Sequence, residues 1–311
     1  MQINRIEIYT EIGAGTHGAS LGIDALKVAA VNAGHPFFKT SAACRLDFRE
    51  HPFTDGKEVS HARYCLAIEK EYGIIAKQVA KVAAKEGLTL VLSSNHAASA
   101  ATIAGIKQAY PAARLGVIWI DAHADIHSPY TTPSGNMHGM PLALSLAEDN
   151  LENQCNHPDE TTIMCWNRMK EIGGLSPKIE MDDLVYIGLS SFEEEEERLL
   201  KKHGVPVYGV EEIRGKGVET VVYEALSKLE ACDMIYVSFD VDVLDSKLIS
   251  SGTGTPVDGG LTEDEVKNIL KLLLESNKVK CLETVEVNPT LDDRGNAMAE
   301  AAFRIISEVL G

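Results

Sequence analysis

The sequence predicts an α/β fold with a single doubly wound, mostly parallel β-sheet and helices on both faces of that sheet. Three observations support this prediction. Short apolar runs, partly β-branched, recur along the chain, and amphipathic stretches with helical spacing separate them. Alternation of this kind is typical of a parallel sheet covered by helices. The runs are apolar at consecutive positions, as expected for strands that are buried on both faces.

Six strands and eight helices are predicted in chain order. The strands cover residues 3–8, 88–92, 115–120, 184–187, 234–239 and 279–285. The helices cover residues 23–33, 64–86, 97–109, 137–147, 193–203, 218–231, 262–275 and 294–309. Thr262 followed by Glu265 resembles a capping box, so we expect a helix to begin at residue 261 or 262. Two stretches without a clear apolar period, 42–54 and 148–162, are predicted to be loops.

The composition is that of a soluble globular protein. The chain has 311 residues, of which 45% are hydrophobic and 24% are charged. We find no repeat or Pro/Gly-rich linker, so residues 1–311 are predicted to form a single domain. Apolar stretches stay below membrane-spanning length, the first residues lack the order of a signal peptide, and the six cysteines form no CxxC pair. We therefore expect a cytoplasmic protein whose cysteines remain thiols.

The net charge of the chain is −17, from 46 acidic and 29 basic residues. This balance argues against a nucleic-acid partner and against binding to an anionic membrane surface, and it favours cationic ligands. The acidic run at 193–197 is interpreted as the solvated first turn of a helix, where negative charge suits the helix dipole.

Carboxylates and histidines follow four of the predicted strands, at the point where each strand ends. They are His96 after the second strand, Asp121, His123 and Asp125 after the third, Asp240 and Asp242 after the fifth, and Glu286 after the sixth. The carboxyl ends of parallel strands are where ligands gather in such sheets. Buried carboxylates are costly unless a cation pairs with them, so this grouping predicts a divalent metal site. Many oxygen ligands with few histidines suit Mn²⁺ better than Zn²⁺.

Five short motifs carry a resemblance to a known family. They are WIDAHAD (119–125), SFDVDVLD (238–245), GTGTP (252–256), GGLT (259–262) and EVNP (286–289). In these motifs the chain resembles the arginase/agmatinase family, the ureohydrolases, which are binuclear manganese hydrolases that split guanidino or formimino groups. Weaker matches extend the resemblance from about residue 12 to the C-terminus.

The resemblance implies two Mn²⁺ ions per chain and six protein ligands. One ion would be bound by His96, Asp121, Asp125 and Asp240, and the other by His123, Asp121, Asp240 and Asp242. Asp121 and Asp240 would then bridge the two ions, which would share a hydroxide as the nucleophile. Asp125 would also orient that nucleophile.

The same resemblance implies how a substrate would be bound. Segment 131–139 resembles the arginase form of a loop whose Ser and Asn, here Ser134 and Asn136, bind the α-carboxylate that agmatine lacks. Glu286 would pair with the guanidinium, and His138 would shuttle protons because a histidine titrates near neutral pH. Thr255, within the motif at 252–256, is a further expected substrate-binding residue.

Several positions depart from the family pattern. His127 stands where arginases usually have an Asn that helps to hold the α-carboxylate. Glu193 and Glu196 are in register with an Asp and a Glu that lie near the α-amino group, so the first is one methylene longer. The residues before His96 are Ser-Ser-Asn instead of Gly-Gly-Asp, which alters the surroundings of that ligand.

The sequence thus predicts hydrolysis of L-arginine to L-ornithine and urea. The alternative within this class is a sibling ureohydrolase that acts on another guanidino acid, on agmatine or on formimidoylglutamate, because His127, Ser190, Ser191 and Glu193 differ from the arginase pattern. An alternative from another class is a metal-poor family member that serves only as a binding or assembly partner. The presence of all six ligand residues and Glu286 argues against it. The resemblance also implies a homotrimer or a homohexamer.

Overall fold

The centre of the molecule is one parallel β-sheet. The computed structural model describes residues 2–39, 42–49 and 61–311, and across these ranges it contains eight strands. They are β1 (Ile3–Tyr9), β2 (Ala43–Asp47), β3 (Leu88–Ser93), β4 (Leu115–Ile120), β5 (Leu184–Ile187), β6 (Val207–Tyr208), β7 (Met234–Asp240) and β8 (Val279–Val285). Their order in the sheet is β2-β1-β3-β8-β7-β4-β5-β6, and every neighbouring pair is parallel.

Ten α-helices in the described residues cover the two faces of the sheet. They are α1 (Gly22–Asn32), α2 (Cys65–Ala83), α3 (Ser99–Ala109), α4 (Pro141–Leu146), α5 (Glu160–Lys170), α6 (Glu194–His203), α7 (Val210–Lys216), α8 (Val218–Lys228), α9 (Glu263–Leu274) and α10 (Ala297–Leu310). Helices α2 to α6 share a hydrophobic core with Trp119, whereas α1 and α7 to α10 share another with Ile118. Because adjacent strand residues point to opposite faces, these two cores lie on opposite sides of the sheet. The prediction of a doubly wound α/β fold is confirmed.

All six predicted strands are present, but two strands and two helices of the described residues were missed. Residues 42–54 were predicted to be a loop, yet they contain the edge strand β2, whose side chains are at most half-buried and so show no apolar period. Residues beyond 49 in this stretch lie outside the described residues. The second predicted loop, 148–162, includes the start of α5, and β6 and α7 were also missed.

The predicted helix at 137–147 is divided into two pieces. A short 3₁₀ turn, Met137–Gly139, is followed by α4, which begins at Pro141. A proline disfavours the helical conformation of the residue before it, and Met140 indeed has a φ of −128°. The break separates His138 from the helix, so the ring sits on a turn near the sheet edge.

Two capping boxes begin helices on opposite faces of the sheet. Thr262 accepts a hydrogen bond from the backbone N–H of Glu265 at 3.2 Å, and its own N–H donates to the Glu265 carboxylate at 2.8 Å, as predicted. Helix α6 has the same reciprocal arrangement between Glu193 and Glu196. The acidic run therefore forms the first turn of a helix, but Glu196 points inward and is only 2% exposed.

Candidate functional site

Six side chains meet at the carboxyl edge of the sheet, in a group that we call the inner cluster. Its members are His96, which follows β3, Asp121, His123 and Asp125, which follow β4, and Asp240 and Asp242, at the end of β7. In the sheet, β3 and β4 are separated only by β8 and β7, so these strand ends are close together. The structure brings together all six residues that were predicted to bind metal.

His96 is surrounded by carboxylates in the first half of the inner cluster. Its Nδ1 atom lies 3.0 Å from Asp121 Oδ2, 2.9 Å from Asp125 Oδ2 and 3.0 Å from Asp240 Oδ2. One ring nitrogen carries at most one proton and cannot donate to three oxygens. His96 Nδ1 and Asp121 Oδ2 are buried atoms without a hydrogen-bond partner among the described residues. Orphaned buried atoms of this kind fit a site that binds a cation between them.

The orientation of the His96 ring is fixed by two residues that belong to the quoted motifs but had been given no role. Ser238 Oγ lies 2.7 Å from His96 Nε2, and the Trp119 indole stacks on the ring with centroids 4.1 Å apart and planes 5° from parallel. A proton on Nε2 that is donated to Ser238 leaves the Nδ1 lone pair directed at the carboxylates, as a metal ligand requires. Asn95, in the altered Ser-Ser-Asn segment, accepts the N–H of Ala97 and so caps the turn that carries His96.

The second half of the inner cluster surrounds His123. Its Nδ1 atom lies 2.9 Å from Asp242 Oδ2 and 3.6 Å from Asp121 Oδ1. The Thr255 hydroxyl donates to Asp242 Oδ2 at 2.8 Å, and the backbone N–H of Asp242 donates to Asp240 Oδ1 at 2.8 Å. Asp121 thus contacts the histidines of both halves, and Asp240 joins His96 to the backbone of Asp242.

Burial and mutual repulsion act on the acids of the inner cluster. Burial, together with the charges of Asp242 and Asp121, raises the pKa of Asp240 well above its usual value. Burial, and then the charge of Asp121, raises the pKa of Asp242 to about 6. Carboxylates this close together repel one another when they are ionised, and a divalent cation would remove that repulsion.

A cavity of about 300 Å³ opens onto the inner cluster. Besides five inner-cluster residues, its lining includes His127, Thr132, Pro133, Ser134, Asn136, His138, Gly139, Ser191, Glu193, Glu196 and Thr255. Most of the residues predicted to bind substrate therefore face one space. Its size is suited to a small molecule, and charged and polar side chains dominate its lining.

A second group of acid and histidine side chains, which we call the outer cluster, consists of His127, Glu193 and Glu196. His127 Nε2 lies 3.0 Å from Glu193 Oε2 and 3.5 Å from Glu196 Oε2, while Nδ1 lies 3.0 Å from Thr131 Oγ1. The Thr131 hydroxyl accepts the N–H of Ser128, so it has one proton to donate to Nδ1. Each ring nitrogen of His127 thus has a hydrogen-bond partner.

The two carboxylates of the outer cluster have pKa values that are shifted in opposite directions. Burial is the main cause that raises the pKa of Glu196 to about 8, whereas the hydrogen bond from His127 lowers the pKa of Glu193 to about 2. Burial alone would lower the pKa of His127, but the hydrogen bond to Glu193 and the two nearby charges raise it. At neutral pH the outer cluster therefore holds an ionised Glu193 beside a largely protonated Glu196.

Glu286 and His138 form a further pair near the inner cluster. The Glu286 carboxylate accepts the backbone N–H of His96 at 2.7 Å and lies 3.6 Å from His138 Nδ1. Glu286 is 2% exposed and has a left-handed backbone with a φ of 67°, which is costly for this residue type and common at functional sites. Asp125 shares this feature, with a φ of 50°.

Comparisons with known proteins place the chain in a family. A sequence model of the Arginase family matches residues 8–311. The chain is 36% identical over 253 residues to the arginase of Bacillus caldovelox, and the match covers 81% of this chain and 78% of that protein. The fold is similar to the crystal structure of the Bacillus subtilis arginase, with a TM-score of 0.81 and 30% identity over 100% of this chain and 99% of that one. The arginase of Entamoeba histolytica in complex with L-ornithine gives a TM-score of 0.84 at 25% identity, with both chains fully covered.

The chain belongs to the Arginase family. With that family it is a hydrolase that acts on the C–N bonds of linear amidines, and the predictions of family and of enzyme class are confirmed. None of the helices within residues 2–39, 42–49 and 61–311 is both long enough and apolar enough to span a membrane.

Proposed function

We propose that the protein hydrolyses L-arginine to L-ornithine and urea. The observation that carries this proposal is that one cavity is lined by the carboxylates of the inner cluster, by Ser134 and Asn136, and by the outer cluster. L-Arginine carries a guanidinium, which would lie over the inner cluster beside Glu286. Its α-carboxylate would meet Ser134 and Asn136, and its α-ammonium would meet the ionised Glu193. The cavity is also large enough to hold the whole amino acid.

The inner cluster is proposed to bind two Mn²⁺ ions. His96, Asp121, Asp125 and Asp240 would bind one ion, and His123, Asp121, Asp240 and Asp242 the other. When bound, the ions supply Lewis-acid polarisation and lower the pKa of the water that attacks the guanidinium carbon. The oxygen-rich ligand set, with one histidine for each ion, supports manganese over zinc.

The protein's own residues are proposed to orient the substrate and move its protons. Ser134 and Asn136 bind the α-carboxylate, Glu193 binds the α-ammonium, and Glu286 attracts the guanidinium. Burial would lower the pKa of His138, but the adjacent Glu286 raises it, which favours the protonated form of the ring. That proton can pass to the ornithine amine when the C–N bond breaks.

A related substrate remains as the second candidate. His127, which replaces the usual Asn, is bonded to Glu193 and changes the end of the cavity that contacts the amino-acid portion. Another guanidino acid, agmatine or formimidoylglutamate would then be the substrate. For the protein as a whole, we propose a single catalytic domain and a cytoplasmic homotrimer or homohexamer, by analogy with the family.

Urea release from a panel of guanidino compounds tests this assignment. The Mn²⁺-loaded protein is assayed with L-arginine, agmatine and guanidinobutyrate, and formamide or ammonia release is scored for formimidoylglutamate. Agmatine lacks the α-carboxylate and would leave Ser134 and Asn136 without a partner. We therefore expect kcat/KM to be higher for L-arginine than for agmatine, on the order of a thousandfold. Replacing both Ser134 and Asn136 with Ala should reduce this preference and leave metal binding unchanged. Equal turnover of both substrates by the unaltered protein contradicts the assignment.

A further inference from the structure

Arg63 contacts the loop that is proposed to bind the substrate carboxylate. Its backbone N–H donates to the carbonyl of Gly135 at 2.8 Å, and its Nη1 donates to Asn136 Oδ1 at 3.3 Å. Tyr64, the next residue, has a left-handed backbone with a φ of 58° and forms the N-cap of α2. Arg63 is therefore held at the start of a long helix, and its guanidinium reaches the side chain of Asn136.

This contact determines which atom of the Asn136 amide is left to contact a ligand. A guanidinium has donors only, so the atom that faces Arg63 must be the amide oxygen. The Nδ2 group then lies on the other side, where an added Cβ at Gly15 would approach it to 2.7 Å. The absence of a side chain at Gly15 thus leaves space for the Nδ2 group of Asn136. Because the amide oxygen already accepts from Arg63, Nδ2 is the group that can still donate to a ligand.

Ser134 is oriented in the same sense. Its Oγ accepts the backbone N–H of Asn136 at 3.1 Å, so its hydroxyl proton remains available to the cavity. Both Ser134 and Asn136 consequently offer donors to a bound molecule. A pair of donors fits a carboxylate and disfavours an ammonium, which has no acceptor to offer them.

We propose that Arg63 is a positioning residue that selects substrates with a carboxylate at this end. It holds the oxygen of the Asn136 amide, which leaves Nδ2 as the donor that a ligand in the cavity can meet. Its positive charge further favours an anionic group. This inference rests on the proposed hydrolysis of a guanidino acid, and it adds a residue to the recognition of that substrate.

The test compares Arg63→Ala and Arg63→Lys with the unaltered Mn²⁺-loaded protein. In Arg63→Ala the backbone contact to Gly135 remains and only the guanidinium is lost. We expect KM for L-arginine to rise about tenfold, with kcat and the kcat/KM for agmatine nearly unchanged, because a hydrogen bond from a charged group is lost. Arg63→Lys keeps a charged donor and should recover part of the lost affinity.

Salt separates orientation from simple attraction between charges. About 0.5 M NaCl screens the field of an exposed arginine, but it does not turn an amide. The difference between Arg63→Ala and the unaltered protein should therefore persist at that salt concentration. A difference that disappears in salt, or an equal loss with agmatine, overturns the positioning role.

Arg304→Ala is the matched control. Arg304 is 48% exposed and pairs with Glu263 on the far side of the sheet from α2, so its loss should leave both substrates unaffected. If the unaltered protein does not prefer L-arginine over agmatine, the proposed function itself fails. If it does, and Arg63→Ala keeps that preference in full, the function stands and the role of Arg63 is refuted.

Discussion

The inner and outer clusters contain the same kinds of side chain but differ in how their polar atoms are satisfied. In the inner cluster, His96 Nδ1 faces three carboxylate oxygens within 3.0 Å and has no hydrogen-bond partner among the described residues. In the outer cluster, both ring nitrogens of His127 have partners, and Glu196 accepts the backbone N–H groups of Ile126 and Glu193. Both groups have a geometry that could accept a cation, but only the first has atoms that need one.

This difference indicates separate roles for the inner and outer clusters, which could not be distinguished by residue type alone. An unsatisfied buried atom is costly, and a bound metal would remove that cost in the inner cluster. The outer cluster is satisfied by the protein itself and retains an ionised Glu193 on the cavity wall. Its remaining capacity is to bind a cationic group of a substrate, such as an α-ammonium.

The largest expected effect is the loss of a bridging ligand. Asp121→Ala or Asp240→Ala removes an oxygen from both halves of the inner cluster, so metal binding should fail and turnover should fall by about a thousandfold or more. Glu193→Gln in the outer cluster should instead keep about two manganese ions per chain, because a satisfied cluster has no role in metal binding. Elemental analysis after dialysis, together with urea release, measures both quantities.

The result that contradicts this division is equally plain. Near-normal turnover with full metal content in Asp121→Ala or Asp240→Ala would refute the binuclear assignment. Loss of one ion in Glu193→Gln would place a metal in the outer cluster.

Much of the inner cluster could be predicted from the sequence, because each ligand directly follows an apolar strand. The supporting residues were harder to find. Ser238 does carry a signal, since it lies two residues before Asp240 and strand alternation places both on one face. Arg63 carries none, because its contact with Asn136 spans 73 residues of sequence. The inward direction of Glu196 and the edge strand β2 depend in the same way on tertiary packing.

The second prediction concerns the residue that orients His96. Ser238→Ala removes the partner of His96 Nε2 and leaves the ring free to change its tautomer. Loss of a residue that supports a metal ligand commonly weakens metal affinity by about 10- to 100-fold. We expect one ion to dissociate at low manganese concentration while the other remains, and activity to recover when manganese is added. Calorimetric titration with Mn²⁺ measures the two affinities, and Thr284→Ala, at a buried hydroxyl of β8, serves as a packing control.

The smallest expected effect is a pH dependence that belongs to the outer cluster. Burial raises the pKa of Glu196 to about 8, so this carboxyl is neutral below that pH and gains a negative charge as the pH rises through it. The added charge lies beside Glu193, where the α-ammonium of L-arginine is proposed to bind. KM for L-arginine should therefore fall by about threefold between about pH 7 and pH 8.5. Guanidinobutyrate, which lacks the α-amino group, should show no such fall in KM. The ratio of the KM values for the two substrates cancels any effect of pH on the inner cluster. In Glu196→Gln, which cannot ionise, the ratio should stay constant, and the same fall in that variant would assign the titration to another group.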